Sequence, residues 1–425
     1  MITATAFAGK HYALYGLARS GLATAEALLA SGARVTAWDA RAEARAAVPK
    51  GAKIANLDEA DLSAFDSLVV TPGLPLNRHP IADRAREAQL EIIGDIELFA
   101  RARPELPPHK VVGITGTNGK STTTALVHHI LETAGVPTTM AGNIGLPILA
   151  QNPLLPGGVY VLELSSYQID LTQSLDCDVA VLLNITPDHL DRYESFEAYS
   201  ESKMRLFQMQ SADHLSLQGG SSPPGFLDET EPSENWIAYI DDVCVTGQET
   251  WPALQGPHNL QNVKAASAIC VALDIPAKFI LEGERTYSGL SHRMERIREK
   301  DGILFVNDSK ATNPTATAPA LASFERIRWI CGGLAKTDNL DECAPHFDHV
   351  RKAYTIGEAS ELFASLLSPH MDVAECETLE RAVGEAAAEA ASGDTVLLSP
   401  ACASFDQFRD FEERGNQFRA LVEGL

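Results

Sequence analysis

The chain has 425 residues, enough for two to four domains, and we expect three. Hydrophobic residues make up 45% and charged residues 21%, which excludes a disordered or low-complexity chain. The 34 basic and 57 acidic residues give a net charge of −23, which argues against nucleic acid or an anionic membrane as partner. A phosphorylated substrate held in a local loop remains compatible with this charge.

The sequence favours a reducing compartment. Residues Met1–Gly16 lack the features of a signal peptide, and no apolar run reaches the roughly 18 residues of a membrane span. The seven cysteines are scattered and form no C-x-x-C pair, which argues against a zinc site and a disulfide framework. We therefore expect a cytoplasmic protein, and a monomer.

The first hundred residues alternate between strand and helix patterns. Strands are predicted at His11–Gly16, Arg34–Asp39 and Ser67–Thr71, with an Ala/Leu-rich helix at Arg19–Ser31. This alternation is typical of a parallel sheet covered by helices. Three prolines and several charges in Arg101–His109 are typical of a linker.

A second set of elements follows this linker. Strands are predicted at Lys110–Thr115, Val159–Leu164 and Asp178–Asn184, and a helix at Ser121–Ala134. Continuous apolar strands of this kind suit a parallel sheet that is buried on both faces. Residues Ser211–Asn235, rich in Gly, Ser, Pro and acids, indicate loops with uncertain strands.

A third set begins near His292. Its predicted elements are the strands Ile303–Asn307, Arg326–Cys331 and Thr395–Ser399 and the helices Leu379–Ala391 and Ser404–Val422. We therefore predict an α/β protein of three domains, with boundaries at 1–101, 102–291 and 292–425.

The strongest local motif is the glycine-rich segment Gly113–Thr122, between a predicted strand and a predicted helix. Such a loop lets backbone N–H groups converge on phosphate oxygens, while Lys120 supplies a charge and Ser121 can hold Mg²⁺. The strict G-x-x-x-x-G-K-[ST] pattern is not met, since Ile114 stands at the first glycine position. The alternative is a glycine-rich turn without a ligand. The predicted ATP-binding residues of the loop are Gly116, Thr117, Asn118, Gly119, Lys120, Ser121 and Thr122.

Several segments in a fixed order resemble the Mur ligases of peptidoglycan synthesis. They are Gly116–Thr122, Leu162–Gln168, Asn184–Tyr193, His258–Asn262, His292–Arg293, Asn307–Thr312 and Ser399–Ser404. The resemblance implies a Rossmann-like N-terminal domain, a central P-loop-type ATPase domain with a mostly parallel sheet, and a Rossmann-like C-terminal domain. It also implies an ATP-dependent ligase that adds D-glutamate to UDP-N-acetylmuramoyl-L-alanine through an acyl phosphate.

The resemblance implies two Mg²⁺ ions held by residues of the second domain. Glu163 ends a predicted strand beside the phosphate loop, where a carboxylate suits Mg²⁺, and Ser121 lies in the loop itself. His189 is implied as a ligand of the second Mg²⁺, and Lys203 as a carbamylated lysine whose carboxylate helps to hold the metal. Without the resemblance, His189 would be interpreted as a solvated loop histidine and Lys203 as a surface charge.

Further residues are assigned to ATP and to the reacting groups. Asn259 and Asn262 resemble the ATP-positioning segment, with an asparagine-rich helix cap as the alternative. The resemblance implies that Asp308 contacts the nucleotide, that Lys310 faces the reacting centre and that Arg293 reaches the γ-phosphate. The implied catalytic set is Lys120, His189, Lys203, Arg293 and Lys310.

The first domain carries a near-match to a dinucleotide fingerprint. Gly16–Gly21 with Asp39 approaches G-x-G-x-x-G plus an acid, but Ala18 replaces the second glycine, which weakens an NAD site. The resemblance instead assigns the UDP substrate to Arg19, Ser20, Asp39, Arg41, Thr71, Gly73, Asn143, Ser165 and Gln168. It assigns D-glutamate to Thr312, Lys336, Ser404 and Phe411.

Three other functions remain open at this point. A sibling Mur-type or folylpolyglutamate-type ligase would use a different amino acid, and the segment Ser165–Gln168 with Arg41 argues against it. A non-catalytic nucleotide-binding regulator would not need His189, Lys203, Asp308 and Lys310 together. An NAD oxidoreductase would bind NADH, which fluorescence titration would detect.

Overall fold

A computed structural model describes residues 1–186, 192–220 and 236–425. The chain divides into two compact units, Met1–Tyr287 and Ser288–Leu425. Both units are α/β, with mostly parallel sheets, as predicted. The boundary at residue 288 lies four residues before the predicted start of the third domain.

The first sheet of unit 1 contains five parallel strands in the order β3-β2-β1-β4-β5. The strands are β1 (His11–Tyr15), β2 (Arg34–Trp38), β3 (Lys53–Ile54), β4 (Ser67–Val70) and β5 (Ile92–Ile93), and the helices are α1 (Arg19–Ala30), α2 (Ala42–Ala46), α3 (Ile81–Glu87) and α4 (Asp95–Ala102). The chain leaves β1 for β2 on one side and later returns to place β4 on the other. The loops after β1 and β4 therefore flank a crevice at the carboxyl edge, where ligands bind in such sheets.

The second sheet of unit 1 contains six parallel strands in the order β11-β10-β9-β6-β8-β7. The strands are β6 (His109–Thr115), β7 (Thr138–Gly142), β8 (Gly158–Glu163), β9 (Val179–Leu182), β10 (Leu215–Gln218) and β11 (Trp236–Tyr239), and the helices are α5 (Lys120–Thr133), α6 (Ser166–Asp170), α7 (Phe196–Gln208), α8 (Pro257–Ala272) and α9 (Ala277–Thr286). Strands β6, β8 and β9 are adjacent in this sheet. The segments that follow them, which carry the phosphate loop, Glu163 and Asn184, therefore meet at one edge.

A buried carboxylate connects helix α4, which belongs to the first sheet of unit 1, to the segment that follows α6 beside the second sheet. Glu97, on α4, is 1% exposed and accepts hydrogen bonds from the backbone N–H groups of Gln173 (2.7 Å) and Ser174 (2.9 Å) and from the Ser174 hydroxyl (2.9 Å). The predicted linker Arg101–His109 includes the end of α4 and the start of β6, and the guanidinium of Arg103 donates to the carbonyl of Asp176. The predicted boundary near residue 101 thus falls inside one compact unit, and the division of this unit into two domains stays a prediction.

Unit 2 is built on a six-stranded sheet in the order β12-β13-β17-β14-β15-β16, in which β12 is antiparallel to β13 and the other neighbours are parallel. The strands are β12 (Glu295–Lys300), β13 (Ile303–Asn307), β14 (Ile327–Gly332), β15 (Val350–Ile356), β16 (Asp372–Glu377) and β17 (Thr395–Leu398), and the helices are α10 (Pro314–Ala322), α11 (Ser360–Leu367), α12 (Leu379–Glu389) and α13 (Phe411–Gly424). The fully buried Trp329 on β14 anchors the core.

The predicted elements of unit 2 are confirmed with one clear exception. The strand Ile303–Asn307 is confirmed with its predicted bounds, whereas the helix predicted from Ser404 begins at Phe411. Asp410 sets this start, because its carboxylate accepts a hydrogen bond from the N–H of Glu413 (2.8 Å) and caps the helix.

Two other properties concern the whole of the described chain. All seven cysteines are free, and six of them are buried. None of the helices within 1–186, 192–220 and 236–425 combines the length and the apolar character that a membrane crossing requires. Of the uncertain segment Ser211–Asn235, residues Leu215–Gln218 form β10, and residues 221–235 lie outside the described part.

Candidate functional site

The glycine-rich loop links the end of β6 to the start of α5. Gly116 has a φ of +150° and Gly119 a φ of +85°, both in the region that favours glycine. A Cβ atom at Gly119 would collide with Oδ1 of Asn262. The two glycines are therefore required by the backbone path and by the close approach of α8.

Hydrogen bonds fix the conformation of this loop. The N–H of Thr117 donates to the carbonyl of Asn184 (2.9 Å), and the N–H of Asn118 donates to the Asn184 side chain (2.8 Å). The ammonium of Lys120 donates to the carbonyls of Gly116 and Thr117, both at 2.8 Å. Lys120 is thus held over the loop, at the N-terminus of the 14-residue helix α5, where an anion is favoured.

Two of the predicted loop residues follow Lys120 in the first turn of α5. Ser121 is buried and Thr122 is half-buried. A serine in this position can present its hydroxyl to a cation that accompanies the phosphates.

Glu163, at the carboxyl end of β8, is 2% exposed. Its Oε1 accepts a hydrogen bond from the Asn143 amide (2.8 Å), whereas no donor among the described residues reaches its buried Oε2. A buried carboxylate oxygen without a partner is costly, and coordination of a hard cation would satisfy it. The geometry of Glu163 therefore fits the predicted Mg²⁺ site.

Other parts of that site are less complete. His189, the predicted ligand of the second Mg²⁺, lies outside the described residues. Within the described ranges, no group of three His, Cys, Asp or Glu side chains forms a ready cation site. A metal held here would therefore depend on other donors beside Glu163, such as a serine hydroxyl, phosphate oxygens or a modified lysine.

Lys203 is buried rather than exposed, so its interpretation as a surface charge is wrong. The residue lies on α7 and is 2% exposed. Its ammonium donates to the carbonyl of Gly116 (3.0 Å) and lies 4.7 Å from the ring centre of Tyr199. The structure thus places Lys203 directly against the phosphate loop.

The predicted ATP-positioning asparagines also reach this loop. Asn262 lies inside α8, is 5% exposed, and accepts a hydrogen bond from the Thr123 hydroxyl (3.3 Å). Its amide donates to the side chain of Asn259 (3.2 Å). The helix-cap interpretation is wrong, because α8 begins at Pro257 and its N-cap is Gly256.

The predicted UDP residues of the first sheet gather at its carboxyl edge. Gly16 has a φ of +97°, and a Cβ atom there would collide with the hydroxyl of Thr71. Arg19 and Ser20 form the first turn of α1, and Gly73 follows two residues after Thr71. The loop after β1 is therefore packed closely against the turn after β4.

Asp39 orders this region. Its carboxylate accepts hydrogen bonds from the N–H of Leu17 (2.8 Å) and from the N–H (2.9 Å) and guanidinium (3.1 Å) of Arg41. Burial opposes ionisation of Asp39, but these donors prevail and lower its pKa to about 2. A permanent carboxylate thus connects the loop after β1 to Arg41.

Sequence reasoning missed Arg192, which ties the second sheet to the turn after β4. Its guanidinium donates to the carbonyls of Pro72 (3.2 Å), Gly73 (3.3 Å) and Leu74 (3.1 Å) and stacks over the ring of Tyr167. An arginine that binds three successive carbonyls holds in one shape the turn that contains Gly73, a residue predicted to bind the UDP substrate. The motif Asn184–Tyr193 contained this signal, but its arginine carried no assigned role.

The other predicted UDP residues have partners within the chain. Ser165 and Gln168 form a capping box at the start of α6, in which the N–H of Ser165 donates to the Gln168 side chain (3.1 Å). Asn143 orients Glu163, as described above. These three side chains therefore have structural roles, and their contact with substrate stays a prediction.

In unit 2, Asp308 follows β13 and is 7% exposed. Its two oxygens accept hydrogen bonds from the N–H of Met294 (3.1 Å) and the hydroxyl of Ser399 (2.8 Å). Burial raises the pKa of Asp308 to about 7, against the opposing effect of these bonds and of nearby Arg293. Asp308 therefore titrates near neutral pH in the folded chain.

This shift predicts a pH-dependent stability. In an unfolded chain the carboxyl has a pKa near 3.9, so the folded state binds the proton more tightly. The stabilisation of the folded chain by the proton on Asp308 is fully present below about pH 4 and is lost as the pH rises through 7. From pH 5 to pH 8, the free energy of unfolding of Asp308→Asn should rise relative to wild type by on the order of 2 kcal/mol. Denaturant titrations across this range measure it, with the exposed Asp372→Asn as control; equal pH profiles for wild type and Asp308→Asn would contradict the prediction.

Arg293 lies in a strained stretch of backbone. Its neighbours His292 and Met294 have φ values of +64° and +47°, which side-chain-bearing residues seldom adopt. The hydrogen bond from Met294 to Asp308 helps to maintain this conformation. Strain of this kind collects at functional sites, and the role of Arg293 itself stays a prediction.

The structure brings together the residues predicted for D-glutamate. The ammonium of Lys336 lies 3.4 Å from the hydroxyl of Thr312, and Leu334 pairs with Ala403, the residue before Ser404. Phe411 starts α13, and its ring lies 4.5 Å from the ammonium of Lys310. The loops after β13, β14 and β17 therefore place these side chains at one edge of the sheet.

A second residue that sequence reasoning missed supports these loops. Arg414, on α13, is fully buried, and its guanidinium donates to the carbonyls of Ser309 (2.8 Å), Cys402 (3.1 Å) and Ala403 (3.3 Å). Burial lowers the pKa of Arg414 to about 10. Because an arginine on a helix is usually exposed, only its position near the loop ends could have suggested this role.

Comparison with known proteins identifies relatives over the full length. Residues 114–220 match the model of the Mur ligase middle domain, and residues 292–402 match that of the Mur ligase glutamate ligase domain. The chain is 58% identical to UDP-N-acetylmuramoylalanine–D-glutamate ligase of Novosphingobium aromaticivorans, with 100% of this chain and 97% of the relative covered. It is 56% identical to the enzyme of the same name from Sphingopyxis alaskensis, with both chains fully covered.

Solved structures support the fold. The crystal structure of UDP-N-acetylmuramate–alanine ligase from Thermotoga maritima has a TM-score of 0.57 at 17% identity and covers 98% of this chain and 99% of its own. The ligase MurF from the same organism, solved with ADP, also has a TM-score of 0.57 at 17% identity and covers 99% of this chain and 97% of its own.

Proposed function

Because this chain belongs to the Mur ligase family, we propose that it is the ATP-dependent ligase that adds D-glutamate to UDP-N-acetylmuramoyl-L-alanine in the synthesis of peptidoglycan precursors. The observation that carries the proposal is the 58% identity, over the whole chain, to a relative that bears this name. The predicted cytoplasmic location and monomeric state stay predictions.

The first sheet of unit 1 supplies the proposed site for the UDP substrate. Arg41 and Asp39 lie beside the loop after β1, and Arg192 fixes the turn at Gly73. A guanidinium that is held by a carboxylate can contact a ribose or uracil without losing its orientation. The backbone N–H groups in the first turn of α1, which begins at Arg19, would bind the diphosphate.

The phosphate loop of the second sheet supplies the proposed ATP site. Lys120 is positioned to neutralise the charge that develops on the γ-phosphate as it moves to the substrate carboxylate. Glu163 and Ser121 would hold Mg²⁺, which supplies charge neutralisation and orientation of the phosphates when it is bound. The product of this step is an acyl phosphate on the L-alanine carboxyl group.

In unit 2, Lys336, Thr312 and Ser404 provide the proposed site for D-glutamate. The ammonium of Lys336 can bind a carboxylate of the amino acid, while the hydroxyls of Thr312 and Ser404 can donate to its oxygens. The free amine then attacks the acyl phosphate carbon, and inorganic phosphate leaves as the amide forms.

An ADP-release assay tests the proposed function. UDP-N-acetylmuramoyl-L-alanine and ATP are supplied, and D-glutamate, L-glutamate, L-alanine, L-lysine and diaminopimelate are offered one at a time. Sustained ADP release with D-glutamate alone is expected, together with a product heavier by one glutamyl residue in the mass spectrum. Release with another amino acid would reassign the substrate, and the absence of release with all five would refute ligase activity.

The proposed UDP site predicts a selective effect on substrate binding. Arg41→Ala should raise the KM for UDP-N-acetylmuramoyl-L-alanine by about tenfold, because it removes a charge-assisted contact, and leave the KM for ATP within about twofold. Steady-state kinetics with each substrate varied in turn measure both constants. The matched control is Arg86→Ala, which removes an exposed arginine from helix α3, between strands β4 and β5 of the same sheet. Equal increases in both KM values would contradict a separate UDP site.

A further inference from the structure

A cavity lies in unit 1, at the side of the second sheet. Its volume is about 490 Å³, within the range of roughly 300–1,000 Å³ that is usual for small-molecule sites. Its walls come from the C-terminal half of α8, from α9, from β10 and β11, and from residues 243–246. None of the residues assigned above to ATP, to the UDP substrate or to D-glutamate lines it.

The wall of this cavity is almost entirely apolar. Leu215 and Leu217 line the cavity from β10, Ala268 lines it from α8, and Ile280 lines it from α9. Val271, 64% exposed, and Leu281, 56% exposed, lie at the mouth. Apolar side chains this exposed on neighbouring helices often mark a binding surface.

One carboxyl group interrupts the apolar wall. Glu284, on α9, is 2% exposed, and its Oε1 accepts a hydrogen bond from the Ser267 hydroxyl (2.6 Å). No donor among the described residues reaches its second oxygen, and no cationic side chain lines the cavity. The second oxygen is not among the buried atoms that lack a partner, so it keeps accessible surface and can accept a hydrogen bond from a ligand in the cavity.

The chemistry of the cavity selects its ligand. The apolar volume accepts an aromatic or branched aliphatic body, and the carboxyl group requires a donor. An amine satisfies it best, since an ammonium offers both hydrogen bonds and the opposite charge. Carboxylates and phosphates are disfavoured, because they would repel Glu284.

We propose that this cavity is a binding site for a small, largely apolar amine, held by Glu284 and Ser267 and separate from the three substrate sites. The site requires no assumption about the ligase reaction, so its failure would leave the proposed function untouched.

Isothermal titration of the full chain with phenethylamine tests this site, with 2-phenylethanol as the matched uncharged probe. Phenethylamine should bind at one site and more tightly than the alcohol. Glu284→Gln, which preserves shape, should weaken binding of the amine by at least tenfold and that of the alcohol much less. Glu282→Gln, an exposed glutamate on the same helix, should leave both unchanged.

A second variant tests the cavity itself. Ala268→Phe should fill the space between α8 and α9 and abolish binding of both probes, and an unaltered melting temperature would show that the chain remains folded. The proposal is overturned if phenethylamine fails to bind wild type, if it binds Glu284→Gln as tightly as wild type, or if folded Ala268→Phe still binds it.

Discussion

Lys120→Ala should lower the kcat of the ligase reaction by about 10²–10³-fold, the usual loss when one group that stabilises transition-state charge is removed. The ammonium of Lys120 donates to the carbonyls of both Gly116 and Thr117. It therefore lies where the terminal phosphates of ATP would enter the loop. ADP release under saturating substrates measures the effect.

Two companion variants separate charge from structure. Lys120→Met keeps most of the side-chain stem, so it should be as inactive as Lys120→Ala while melting closer to wild type. Lys110→Ala removes a half-exposed lysine from the strand that leads into the loop and should retain full activity. A kcat of Lys120→Ala within threefold of wild type would exclude the proposed role.

Lys203→Ala should be nearly inactive yet folded, because we propose that Lys203 carries a carbamate that contributes to the metal site. A carbamate forms on the neutral form of an amine, and Lys203 is buried with its side-chain nitrogen 3.0 Å from the carbonyl of Gly116 in the phosphate loop. Formate or acetate should restore part of the activity, since a small carboxylate can occupy the space left beside Gly116.

Direct detection of the carbamate makes this test independent of activity. Wild-type protein equilibrated with ¹³C-labelled bicarbonate should show a carbamate carbon resonance that Lys203→Ala lacks. Lys264→Ala, on α8, should retain both the resonance and full turnover. Full activity of Lys203→Ala without added acid, or the absence of the resonance in wild type, would refute the modification.

Local sequence patterns predicted the bounds of a strand or helix well where the neighbouring residues alone determine where it begins and ends. The strand Ile303–Asn307 is apolar and is followed by a polar segment, so its bounds could be predicted. The start of α13 could not, because Ser404 and Asp410 are both plausible caps and the choice depends on contacts elsewhere. Residues 402–403 are held by Arg414, which lies 11 residues further along the chain.

The residues of the site could be predicted where they lie together in one short motif. The phosphate loop contains its glycines, its lysine and its serine within ten residues, so its local geometry follows from the sequence. The burial of Lys203 depends on how α7 packs against the loop after β6, which no pattern within α7 encodes. Arg192 and Arg414 donate to backbone carbonyls, and such contacts cannot be predicted from composition or spacing, even though Arg192 lies within the motif Asn184–Tyr193.

The carboxylate of Glu97 also constrains recombination between relatives. A crossover near residue 101 would take Glu97 from one parent and its partners Gln173 and Ser174 from the other. The two backbone donors would survive such an exchange, but a parent with a shorter side chain in place of Glu97 would leave them without their acceptor. Chimeras that exchange the first hundred residues should therefore be less stable unless the parent that supplies this segment carries a carboxylate of this reach.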